Sequence, residues 1–153
     1  MSMRPLLFAL LLSLSPLTGA QSHGGHGERA ARPELGNSAL FTADGKLLVV
    51  IKEGKHLYLQ RGDAEGKHWQ APIKINAQPE AIAADGESRP KLALAADGGV
   101  LVSWTKPLAK PYTGEIRFAR STDGTTFDAP ITVHRDRAEI THRFESLHVT
   151  RDG

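Results

Sequence analysis

The chain of 153 residues contains no cysteine, so no disulfide framework can staple it, and its stability has to come from packing alone. An excess of one charge is also lacking. Nineteen Lys and Arg stand against 17 Asp and Glu, a formal net charge of +2, which gives no electrostatic case for nucleic acid or an anionic membrane as partner. No apolar run reaches the ~20 residues that a membrane-spanning helix needs. Past the N-terminus, no segment holds a helical apolar period of useful length. What is abundant is turn chemistry: 15 Gly and 9 Pro, as many short strands with tight turns require.

The N-terminus reads as an export signal over residues 1–20. Arg4 supplies the positive start, Leu6–Leu12 the apolar run, Pro16 the break, and Thr18-Gly19-Ala20 the small residues of a cleavage site. No Cys follows that could carry a lipid anchor. The expected product starts at Gln21, has no membrane span, and is periplasmic or secreted. Cleavage there removes one cation and no acid, so the near-neutral balance persists. Residues 21–37 form a Gly- and His-bearing leader.

The rest of the chain repeats itself. Asp-Gly pairs begin at 44, 97 and 152, spaced 53 and then 55 residues apart, each after a short apolar strand. Matching strands follow the first two, Leu47–Ile51 and Val100–Trp104. Then come Leu57–Arg61 and Ile116–Arg120, an aromatic before Ala-Pro at Trp69 and Phe127, and closing strands at Ile73–Ile75 and Ile131–Val133. Asp-Gly between apolar runs signals a hairpin. Four strands per repeat at a period near 50 is the pattern of a β-propeller blade. The expected fold is all-β: one blade over 38–76, a second over 90–133, and the start of a third over 147–153. A closed ring takes at least ~4 blades, so 38–153 is expected to be part of a longer propeller.

The turn before each Ala-Pro resembles the Asp-box of the sialidase (neuraminidase) superfamily, whose pattern is Ser/Thr-x-Asp-x-Gly-x-x-Trp/Phe. Ser121, Asp123, Gly124 and Phe127 match it with one residue missing between Asp and Gly. Asp63, Gly66 and Trp69 match with one extra residue there, and Arg61 stands in the place of Ser. The resemblance covers most of 38–153 and implies a six-bladed ring when complete. It also implies a scaffold role for the boxes, with the Asp accepting backbone amides in its own turn and the aromatic packed between strands. A sialidase further needs three arginines around the sugar carboxylate, a Tyr nucleophile paired with Glu, and an acid/base Asp. The Phe/Tyr-Arg-Ile-Pro motif of the first arginine aligns on Leu35-Gly36-Asn37-Ser38, where Gly36 replaces arginine. Glu53-Gly54-Lys55 is similar to the family's Glu-Gly-Arg, again without arginine. The Tyr would fall in later blades.

The resemblance places the ligand pocket on the face carrying the second-to-third strand loops and the blade-to-blade connections. That face is basic, as an anionic ligand would want, although solvated loops carry Lys and Arg anyway. Arg89 and Arg143, each just before an innermost strand, are the foremost ligand-binding candidates. Lys55 and Tyr112 stand beside them; Tyr112 could stack on a sugar or simply pack its loop. At the new N-terminus, Gln21-Ser22-His23 would offer an amine, two amides and an imidazole, a square-planar set for Cu(II) or Ni(II). The alternative is a flexible leader with incidental histidines, and no other cofactor is indicated. Three functions remain open: a sialidase-like glycosidase on an acidic glycan, a non-catalytic propeller binding a glycan or protein, and a metal-handling protein using the leader.

Overall fold

The computed structural model describes residues 36–150. The export signal, the leader up to residue 35 with His23, and the third Asp-Gly pair lie outside the described residues.

Two four-stranded antiparallel sheets make up the fold, each a meander of neighbours in sequence. The first sheet contains β1 (Ser38–Phe41), β2 (Leu47–Glu53), β3 (His56–Gly62) and β4 (Ile73–Lys74). The second contains β5 (Lys91–Leu94), β6 (Val100–Pro107), β7 (Gly114–Ser121) and β8 (Ile131–Thr132). A three-residue 3₁₀ turn, Gly86–Ser88, is the only helix among the described residues. All eight strands fall where the repeat expects them. Residues 147–150 of the third copy form no strand, because no described segment offers them a ladder partner.

The two copies share backbone detail. Gly45 and Gly98 close the Asp-Gly turns with φ of +81° and +82°, a conformation that glycine adopts without a Cβ clash. Thr42 and Ala95 each donate to the residue four further on at 2.8 Å. Each turn is therefore a three-residue loop with Gly in the left-handed position.

Strand alternation decides the packing. In β2 and β3 the inward residues Leu48, Val50, Leu57 and Leu59 are buried, and Ile75 joins them after β4. They meet Val100, Val102, Trp104 and Ala119 of the second sheet in one apolar core, capped by Ile82 from the connection. Each fully buried side chain of this size contributes on the order of 2 kcal/mol. The repeat spacing gives that packing a direction. Leu57, Leu59, Ile73 and Ile75 face the second sheet. Their counterparts Ile116, Phe118, Ile131 and Val133 line the opposite side of the second sheet, where a cavity of about 350 Å³ opens beside Leu147. Among the described residues only Glu145–Leu147 approach this apolar face, and Ile131 and Val133 are both 59% exposed.

Candidate functional site

The boxes come first, because their chemistry is local. Asp123 Oδ1 accepts the backbone N–H of Thr125 at 2.7 Å, that of Thr126 at 2.9 Å and the Ser121 hydroxyl at 3.0 Å; Oδ2 accepts the Thr125 hydroxyl at 2.7 Å. The Thr125 amide, first among these donors, holds the carboxyl far below the usual Asp range. Gly124 sits at φ +67°, with the Arg61 guanidinium donating to its carbonyl at 2.9 Å. In the first copy, Asp63 accepts the amides of Lys67 at 2.7 Å and His68 at 3.2 Å, and meets His68 Nδ1 at 2.6 Å. His68 is the main cause of its lowered pKa. Both carboxylates are thus engaged by their own turns.

Two expectations about the boxes need correction. Phe127 is only half-buried against the core, and Trp69 is 42% exposed, lying over Gly62 with its indole N–H on the Gly66 carbonyl at 2.8 Å. Arg61 does not stand where Ser121 stands, either. Strand register pairs Leu47 with Gly62 and Val100 with Ser121, so Gly62 is the counterpart of Ser121 and Arg61 that of Arg120.

The sheet edges sort as the repeat implies. Both Asp-Gly turns and Asp123 border one shared cavity. At the other edge, the connections dock on the hairpins. Glu80 N–H donates to the Lys55 carbonyl at 3.1 Å, Gly114 N–H to the Ile140 carbonyl at 3.2 Å, and Lys110 N–H to the Glu139 carboxylate at 2.7 Å. His134 and His142 stack at 3.7 Å within this docking.

A cavity of about 390 Å³ opens between the starts of β1, β5 and the third copy. Asn37 and Ser38 line it from β1, Arg89 and Lys91 from β5, and Ser146 and Leu147 from the third copy. Arg89 follows the 3₁₀ turn, is exposed, and donates only to the Gly86 carbonyl at 3.4 Å. Lys91 Nζ donates to the Glu87 carbonyl at 2.9 Å. Neither makes an ion pair among the described residues. Arg143 lies beside them with its side chain largely buried, bonded to Ser88 Oγ at 3.2 Å and to the Asp85 carboxylate at 3.5 Å. Glu145 accepts the Thr105 hydroxyl at 2.7 Å, and burial raises its pKa.

Of the four ligand candidates, only Arg89 lines this cavity; Arg143 is held nearby on Ser88 and Asp85 and does not line it. Lys55 sits at the β2–β3 turn and Tyr112, 78% exposed, in the β6–β7 loop; neither lines this cavity. Sequence reading missed Lys91, which occupies the first position of β5 and so looked like a strand residue. It also missed the link from the Trp104 indole to Glu80 at 2.8 Å, with Arg117 on the same carboxylate at 3.3 Å. That link joins the connection to the core, and no spacing motif announces it. Among the described residues no cluster of His, Asp and Glu could hold a metal ion, and no helix is long and apolar enough to cross a membrane. The Cu(II) or Ni(II) reading of His23 falls outside the described residues. No protein-family model, curated protein or solved structure matches the chain.

Proposed function

We propose that this chain is part of an exported β-propeller of the sialidase type that binds an acidic glycan at the starts of its innermost strands. The observation that carries the proposal is the pair of cations, Arg89 and Lys91, bordering one cavity, neither within ion-pair distance of a carboxylate among the described residues, although Lys91 is near enough to Glu145 to act on its charge. Such a pair attracts a carboxylate, and Arg can hold it through two parallel N–H bonds. The repeat-equivalent apolar faces support the propeller half of the reading, because each sheet offers on one side what its neighbour has already buried. Export rests on the signal pattern of residues 1–20.

Binding rather than cleavage is the function proposed for this chain. Gly36 and Lys55 occupy the places of two family arginines, and both boxes spend their carboxylates on their own turns. Titration of the purified protein with 3′-sialyllactose and digalacturonate, and with lactose as the neutral control, tests it. Saturable binding of an acidic sugar, weakened by Arg89→Gln and by added salt, is expected. Equal affinity for lactose, or binding indifferent to Arg89→Gln, would overturn it.

A further inference from the structure

Both cations of the cavity are tied to one short turn. The Ser88 N–H donates to the Asp85 carbonyl at 2.8 Å and closes the 3₁₀ turn Gly86–Ser88. Arg89 follows the turn directly and donates to the Gly86 carbonyl at 3.4 Å. Lys91 reaches back to the Glu87 carbonyl at 2.9 Å. Carbonyls of the turn thus aim both side chains, and a shift of the turn would move the two together. The turn has little of its own to hold it. It is three residues long, Asp85 makes no side-chain cap bond to it, and Gly86 sits at φ +46°.

Arg143, from the connection that follows β8, supplies the missing anchor. One guanidinium nitrogen donates to Ser88 Oγ at 3.2 Å and lies 3.5 Å from the Asp85 carboxylate. These partners are the last residue of the turn and the residue just before its first, so one cation spans the turn from end to end. Ser88 is fully buried and the Arg143 side chain is 17% exposed, which keeps water from competing for that bond. The Asp85 carboxylate is far more exposed, so its contact is screened and the Ser88 bond is the stronger hold. Arg143 itself does not line the cavity.

We propose that Arg143 is a positioning residue for the acidic sugar: through Ser88 it clamps the 3₁₀ turn and so presets Arg89 and Lys91, without touching the sugar. A long cationic side chain loses rotamer freedom when it captures a ligand, and a site ordered beforehand avoids part of that cost. The inference rests on the acidic-glycan reading above and gives the site a support from outside its own repeat.

Titrations with 3′-sialyllactose and digalacturonate, each run well below the melting temperature of the variant, compare the native chain with Ser88→Ala, Arg143→Gln and the double variant. Ser88→Ala alters no charge. It should still weaken both acidic sugars about fivefold. Arg143→Gln should weaken them at least as much, and the double variant no more than Arg143→Gln alone, because both changes break the same link. Native affinity in Ser88→Ala with a loss in Arg143→Gln would mean that Arg143 acts by its charge, and would overturn the clamp. Losses that add in the double variant would overturn it too. Native affinity in both single variants, with Arg89→Gln impaired, would leave Arg143 a purely structural role and the glycan reading standing. No binding of either acidic sugar to the native protein would overturn both.

Discussion

A Cβ built on Gly36 would fall 2.7 Å from the Cβ of Ala84. Gly36 is buried, and the segment of the connection carrying Ala84, Ile82–Ala84, is buried with it. The position that the sialidase resemblance assigns to an arginine is thus one where this fold has no room for a side chain. Gly36→Arg should lower the melting temperature, with overpacking costing about 1–3 kcal/mol, and should create no sialidase activity. A fluorogenic sialoside incubated with the native chain or the variant should show no turnover above buffer. Turnover that vanishes with Arg89→Gln would show this reading of Gly36 to be wrong.

Trp104 is the largest fully buried side chain, and its indole N–H is matched to Glu80. Trp104→Ala should destabilise by about 4 kcal/mol through the cavity it leaves. Trp104→Phe keeps most of the volume but strips a donor from a largely buried carboxylate, at about 1–3 kcal/mol. Phe127→Ala should cost less than Trp104→Ala, about 1–2 kcal/mol, since only part of the ring leaves water on folding. Chemical denaturation of the three variants gives the order; Phe127→Ala as costly as Trp104→Ala would mean a ring buried more deeply than the structure has it.

The turns make the fold sensitive to acid. Hydrogen bonds from Lys46 and then Thr42 lower Asp44 to about 2. Asp63, Asp97 and Asp123 are lowered too, by His68, the Gly99 amide and the Thr125 amide respectively as their largest causes. A carboxylate depressed in the folded state adds stability above its unfolded value near 3.9, and that stability is lost as pH falls through the folded value. These are surface carboxylates whose interactions solvent screens, so melting temperature should fall modestly between about pH 4 and pH 2. Asp123→Asn should melt lower than the native chain at pH 7 and lose less on acidification. An Asn variant that melts like the native chain at pH 7 would contradict the turn role of Asp123.

Glu145 works in the opposite direction. Burial raises its pKa, so its neutral form suits the fold, and its ionisation subtracts stability as pH rises through the folded value. Glu145→Gln can still accept the Thr105 hydroxyl. It should melt higher than the native chain at pH 7 and show no advantage below pH ~4, where the native carboxyl is also neutral. A lower melting point at pH 7 would point instead to a stabilising charge pair with Lys91.

The sequence alone determined the strands and their order. Asp-Gly turns, alternating apolar residues and the 53-residue spacing are local signals, and a strand's two faces follow from its period of two. The box turns were equally legible, because an Asp reaches only amides a few residues along its own chain. The tertiary structure decided which cations share a cavity. Arg89, Lys91 and Ser146 come from two different repeats, and only the packing of the start of β5 beside the irregular segment of the third copy joins them. It also decided that Lys55 and Tyr112 stand apart, that Trp69 stays half in water, and that Trp104 meets Glu80 across 24 residues. Such meetings depend on how the connections cross between sheets, and that path has no period for a sequence to display.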